Sequence, residues 1–405
     1  MQQKTDEQTS VRKLFIPSLM VVYFSLFIVD SISGTFLLDV TETFFASREP
    51  LYIAITSQLS TTSSIASAVF ALFLAMMTVR FNHKKLLVLG TLCVPIGALG
   101  CYLAPNYVFL QLFFVLEGIG SLIVTTMAIV LVADILPMNK RPQATGWIMS
   151  GPTIAAMIGS IIVSSFFSGG DWRSFLLWYA LPITLISIVA ACFGIPSSKE
   201  KIADIVEKGA YLRSFKQVLL NKSAATCLFG SLIRYSSLFW GLYFTTFLRI
   251  EFNLDLGSAV LLTGLPMAVI ITLGHIIGGY MANWYGRKNL TVITLLIHGA
   301  TLPLIGVLPD LYVALAIFYS GTFIGALAFP AMTNLLLEQT PEFRGTIISI
   351  NSIFSTIGAA IGAAIGGLSL AMFNYTGMFF TFAILIIVSA TIFFFVKDPC
   401  RNRGN

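Results

Sequence analysis

"PSSKEKIADIVEKGAYLRSFKQVLLNKS", residues 196–223, is the longest hydrophilic stretch of the chain. Nearly everything on either side of it is apolar. Of 405 residues, 57% are hydrophobic and only 10% are charged, and mean hydropathy is +0.88. Soluble globular chains carry roughly 25% charged residues. So few charges cannot cover a water-facing surface, and the composition reads as an all-α, multi-pass membrane protein.

Crossing a hydrocarbon core of about 30 Å takes about 20 apolar residues. Six apolar runs precede the stretch, at 14–40, 52–78, 86–104, 107–136, 146–168 and 174–195. Six more follow, at 223–248, 258–282, 290–308, 311–337, 346–373 and 376–396. The stretch therefore reads as a cytoplasmic linker, 196–222. It joins an N-terminal bundle of six helices, 1–195, to a C-terminal bundle of six, 223–405. The first run is about twice as long as a signal-peptide core and has no small-residue cleavage site, so it reads as a retained helix.

Charge supports this topology. Of the 24 Lys and Arg residues, only Arg48, Arg173 and Arg249 fall in loops on the outer side, and Arg234 falls inside a span. The other twenty lie on the side of the N-terminus, the linker and the C-terminus. By the positive-inside rule that side is cytoplasmic. The five cysteines and three histidines show no metal-ligand spacing, no nucleotide loop is present, and no hydrolytic constellation appears. The chain is expected to need no cofactor and no metal, and not to be an enzyme.

The two halves echo one another. "VRFNHKKLL" follows span two and "NWYGRKNL" follows span eight. "ADILPMNKR" follows span four and "LEQTPEFR" follows span ten, so that Asp134 answers Glu338, Pro137 answers Pro341 and Arg141 answers Arg344. A repeat of two six-helix halves is a transporter architecture, with the binding site between the halves near the bilayer midplane.

At these residues the chain resembles the major facilitator superfamily, and within it the twelve-helix drug:proton antiporter branch. "GYMANWYGRK" is similar to the family loop G-x-x-x-D-R-x-G-R-[RK] at Gly279, Gly286, Arg287 and Lys288. Asn283 stands at its acidic position. The first-half copy, "AMMTVRFNHKK", keeps Arg80 and Lys84 but has Val79 for the acid and Asn82 for the glycine. "GWIMSGPTIAAMIGS" in span five resembles the antiporter-associated motif at Gly151 and Pro152, and "GGDWRSFLLWY" resembles the usual turn into span six. The resemblance covers essentially the whole chain. It implies two pseudo-symmetric six-helix bundles whose loop cations cap helix ends and bridge to acids on neighbouring helices. Gly151-Pro152 reads either as a conformational motif or as an ordinary proline bend. "GAAIGAAIGG" in span eleven and "GHIIGG" in span eight read as close-packing faces.

Three charges bear the cost of lying deep in spans, roughly 2.5–3.5 kcal/mol each on insertion scales. They are Asp30 in span one, Glu117 in span four and Arg234 in span seven. The resemblance implies that spans one, four, seven and ten line the central cavity. Helical spacing groups Tyr23, Phe27, Asp30 and Gly34, then Glu117, Ser121 and Thr125, then Ser231, Arg234, Ser237, Gly241 and Thr245. With Trp240 and Tyr243 nearby, these faces are the candidate substrate- and proton-binding surface. Two acids against one base leave a carboxylate free to carry a proton or receive a cation. Arg234 reads either as their neutralising partner or as an anchor for an anionic headgroup. His275 and His298 read as packing residues, with a proton relay as the alternative.

The expectation is a secondary active transporter working by alternating access, exporting small amphipathic or drug-like compounds in exchange for protons. An organic-anion carrier using Arg234, or a receptor or scaffold that kept the fold, are the alternatives. The implied partners are a small-molecule substrate, protons and the lipid bilayer, with no nucleic acid and with a functional monomer. The expected location is a prokaryotic inner membrane with both termini cytoplasmic.

Overall fold

A computed structural model of the chain describes residues 2–136, 141–196, 215–308 and 310–398. Most of the expected linker, 197–214, lies outside the described residues, as do Pro137 and Lys140; of Arg80, Arg141 and Arg344 the side chains do. Among the described residues the chain is helical, with no β-strand. Nine helical stretches there are long and apolar enough to cross a membrane.

Each apolar run of the sequence is mainly helical. Span two is the 31-residue helix Pro50–Arg80, span three is His83–Leu103 and span four is Tyr107–Ile135. Spans eleven and twelve lie in one stretch, Arg344–Phe394, but Asn374 inside it has φ 56° and ψ −168°, which turns the chain between them. Side-chain caps fix several helix starts by satisfying amides that the first turn leaves unpaired. Asn106 accepts from the Phe109 amide at 3.1 Å, and Asn221 accepts from Ser223 and Ala224 at 3.1 and 3.2 Å.

Span nine breaks between Thr301 and Leu304, and two spans that carry deep charges are also discontinuous. Span one runs as Gln2–Asp30, Ile32–Thr35 and Leu37–Phe45, and span seven as Lys222–Ser237 and Trp240–Glu251. The same local device accompanies the breaks in spans one and seven. Ser33 Oγ donates to the Asp30 carbonyl at 2.9 Å, and Ser237 Oγ donates to the Arg234 carbonyl at 2.7 Å. A serine that bonds back to a carbonyl one turn earlier competes with the ladder and bends the helix. Both charged residues therefore sit where a span is interrupted.

The chain forms two compact units. One comprises Met1–Ala46, Thr62–Asp204 and Asp255–Gly264; the other comprises Ser47–Thr61, Ile205–Leu254 and Leu265–Asn405. Glycines set the closest helix contacts in each. In the first, a Cβ on Gly151 would meet the Met20 carbonyl at 3.0 Å and Tyr23 Cβ at 3.2 Å, so span five lies directly against span one. In the second, a Cβ on Gly358 would meet the Leu232 carbonyl at 2.5 Å and one on Gly362 would meet Ser236 Cα at 2.8 Å. The span-eleven glycines thus pack on span seven, as their spacing predicts. Gly278 meets Leu327 Cα at 2.7 Å in the same way.

Candidate functional site

In the first unit Glu117 is 1% exposed, and its Oε1 has no hydrogen-bond partner among the described residues. Its carboxyl is hydrogen-bonded to Ser121, the residue one turn along that shares its face, and interacts electrostatically with Asp30. Asp30 itself is exposed at the end of its helix segment. Tyr23 is buried and donates from its hydroxyl to the Thr125 carbonyl at 3.0 Å, tying span one to span four; Phe27 is half-buried. Gly97 permits the approach of span three, since a Cβ there would stand 3.0 Å from Glu117 Cβ. The spacing-derived faces of spans one and four are thus brought together as a pair of acids. One acid is accessible and the other is enclosed. A buried carboxylate with an unmet oxygen must carry a proton or meet a cation.

In the second unit Arg234 is 4% exposed. Its Nη1 donates to Ser237 Oγ at 3.2 Å and its Nη2 to the Gly325 carbonyl at 3.4 Å. Both of these partners are neutral. Ser231 and Ser237 are fully buried and Thr245 nearly so. The hydroxyls of the stripe on span seven are therefore enclosed by protein. Trp240 is 4% exposed and packs edge-on against His298 and Phe318, with ring centroids 5.9 and 5.5 Å away. Tyr243 is fully buried, and its hydroxyl bonds Ser57 Oγ at 2.9 Å and the Ala363 carbonyl at 3.3 Å.

His298 and Gly325 were not picked out as site residues from sequence. His298 is 2% exposed, and neither ring nitrogen has a hydrogen-bond partner among the described residues. Its only legible signal was a histidine within an apolar run, which also suits a packing residue. His275, by contrast, lies against the Phe329 ring.

The loop motifs take matching places in the two halves. His83 Nδ1 lies 2.7 Å from Asp134 Oδ2, and Arg287 forms an ion pair with Glu338. Each pair joins the first residue of a helix to the acid at the end of the next span, so the Asp134–Glu338 echo is a structural equivalence. The neighbouring lysines also correspond. Lys84 Nζ donates to the Cys192 carbonyl at 2.7 Å, capping the last turn of span six, and Lys288 Nζ lies 5.2 Å from the Phe394 ring centroid near the end of span twelve. A cation at a helix C-terminus meets carbonyls left unpaired there. Gly286 has φ +81°, the left-handed region that glycine favours, whereas Asn82 in the equivalent place is extended and caps the helix through Lys84 N. Asn283 is exposed, and Gly279 has open space where a Cβ would stand. Arg80's side chain lies outside the described residues.

The turn "GGDWRSF" has its own geometry. Asp171 accepts from Ser174 Oγ at 2.5 Å and Ser174 N at 3.0 Å, which holds its carboxyl below the usual carboxylate range. Trp172 Nε1 donates to Thr43 Oγ1 at 2.9 Å, and Arg173 Nη2 donates to the Ala104 carbonyl at 2.8 Å.

The family model described as Major Facilitator Superfamily matches residues 19–326 and 276–405. Among curated relatives, the MFS-type transporter YceJ of Bacillus subtilis (strain 168) is 22% identical over 346 residues, covering 84% of this chain and 87% of its own length. Multidrug resistance protein 2 of the same organism is 19% identical, covering 77% of this chain and 79% of its own length. Among solved structures, a bacterial homologue of the human lysosomal transporter Spinster superposes with a TM-score of 0.78 at 16% identity, over 95% of this chain and 97% of that one. A D-xylose–proton symporter does so with a TM-score of 0.77 at 13% identity, over 95% and 98%. The structural likenesses show the fold. The chain belongs to the Major Facilitator Superfamily, a family of transporters and not of enzymes, and is an integral, multi-pass membrane protein.

Proposed function

We propose that this transporter exports small amphipathic compounds in exchange for protons, by alternating access, with Asp30 and Glu117 as the proton-carrying pair. The observation that carries this reading is the enclosed Glu117 carboxyl with its unmet Oε1, in electrostatic contact with the accessible Asp30. One acid is exposed on the chain and the other is enclosed, an arrangement suited to a proton relay. The likeness to multidrug resistance proteins supports amphipathic cargo. Gly151 supports the moving part, because it lets span five lie on Tyr23 and Phe24 next to Asp30's segment.

Reconstituted protein tests the assignment. Glu117→Gln and Asp30→Asn should each abolish uphill flux driven by a pH gradient, while leaving exchange of labelled for unlabelled substrate intact. Undiminished uphill flux in both variants would remove the two acids from the coupling.

A further inference from the structure

At one end of the second unit, span seven finishes, span nine turns into span ten and span eleven turns into span twelve. A cavity of about 180 Å³ lies among these three segments. The charge asymmetry makes this the outer end. Buried Phe247, Ile305 and Tyr375 form the cavity floor, and exposed Glu251 and Asn374 with half-buried Phe252 form its rim. A cavity of about 150 Å³ can hold benzene, so this one has room for a small organic group.

The lining is electrostatically one-sided. Glu251 is the one charged residue in it, and among the described residues Glu251 is in no ion pair. It is the last residue of the helix Trp240–Glu251, where unpaired carbonyls already carry partial negative charge, so the two effects add. Three aromatic rings lie beside it. Phe247 meets Tyr375 at 5.4 Å and Phe252 at 5.7 Å between centroids. Ring faces carry negative potential and attract cations. The Tyr375 hydroxyl is buried without a hydrogen-bond partner among the described residues, and it feels the charge of Glu251. The walls are also fixed. Thr376 Oγ1 donates to the Gly306 carbonyl at 2.8 Å, tying together the two turns that border the cavity. Asn374, at the rim, holds φ 56° and ψ −168°, a conformation normally left to glycine and one that gathers at ligand sites.

We infer that this cavity is a receiving site for an ammonium group carried on a small apolar body. Glu251 supplies the counter-charge, the rings of Phe247, Phe252 and Tyr375 face the cation, and the apolar floor takes the body. An anion would be repelled by Glu251, and a neutral ligand would leave its charge unmet. The site belongs to the second unit, whereas Asp30 and Glu117 belong to the first. It does not depend on the proton-coupling reading.

Binding is measured without transport, on purified full-length protein in an uncharged detergent. The probes are benzylammonium and its neutral isostere benzyl alcohol, titrated by calorimetry at pH 7 against protein-free micelles. The ammonium should bind more tightly than the alcohol by about tenfold, the value of a hydrogen bond to a charged group. That preference should vanish in Glu251→Gln, a change on an exposed side chain. It should fall about threefold in Phe252→Leu, which keeps apolar bulk but removes a ring face. It should persist in the Asp30→Asn, Glu117→Gln double variant. If Phe252→Leu does not fold, Glu251→Gln decides. Displacement of benzylammonium by short-chain phosphatidylethanolamine, and not by phosphatidylglycerol, would identify a lipid headgroup as the source of the ammonium. No displacement by either would identify a free amphipathic cation. Both place an ammonium group in the cavity. Equal binding of the two probes by the wild type, a preference untouched in the folded variants, or one lost in the Asp30→Asn, Glu117→Gln protein would overturn the inference. Proton-driven flux can fail while this binding stands, and the reverse, so the two readings are separable.

Discussion

At the scale of single residues, position within a broken helix matters as much as charge. Asp30 and Arg234 each precede an interruption, and each shares its turn with a serine that bonds back to its carbonyl. The charges were legible in sequence, because an ionisable group in an apolar run stands out. The serines were present in the same letters, three residues on, but serine is common in membrane helices and the shared bond is visible only in coordinates. His298 was read as packing for a similar reason: sequence cannot show that both its nitrogens lack partners. The turn at Asp171 gives a residue-scale prediction. Asp171→Ala should cost about 1 kcal/mol by removing an N-cap. Because the native carboxyl is held below its usual range by Ser174, the stabilisation is full above the ordinary aspartate pKa and fades as pH falls through the lowered value. The melting-temperature gap between wild type and variant should thus be constant from pH 8 to about pH 5 and close below about pH 4. A gap that widens in acid would contradict the capping account.

At the scale of elements, the repeat is expressed as equivalent contacts between different residues. His83–Asp134 and Arg287–Glu338 occupy the same place in their halves, although the family loop is degraded in the first. Sequence showed that Asp134 answers Glu338; it did not show which side chain each acid would meet, since Arg80, Lys84 and Lys85 all competed with His83. Lys84 instead caps span six. The Arg287–Glu338 pair is partly buried, with side chains 24% and 18% exposed. Removing one partner should cost more than an exposed pair, whose median is about 0–1 kcal/mol. Arg287→Ala and Glu338→Ala should each lower the melting temperature in detergent, and the exchange Arg287→Glu with Glu338→Arg should recover most of the loss. Additive losses in the exchanged protein would mean that the two side chains stabilise independently. The small-residue faces were legible because spacing alone defines them, and Gly358 and Gly362 do lie against the span-seven backbone.

At the scale of the whole molecule, composition and charge asymmetry carried the fold. Twelve apolar runs, a hydrophilic stretch between the sixth and seventh, and loop motifs in both halves implied the major facilitator architecture, and the family match agrees. The partners of the buried charges were less legible, because they depend on which carbonyls and hydroxyls a bend exposes. Arg234 is an example: its partners in its own unit are the Ser237 hydroxyl and the Gly325 carbonyl, which sequence could not name. The central claim is that substrate movement is driven by protons through this chain alone. Proteoliposomes holding the wild-type protein and loaded with a fluorescent amphipathic compound test it most directly. With the compartment that receives the probe made acidic, the protein should move the probe into it against its concentration gradient while protons leave that compartment. Collapsing the pH difference with nigericin should leave only downhill exchange. Uphill movement of the same size with and without the pH difference, or none under any imposed gradient, would contradict proton-coupled export.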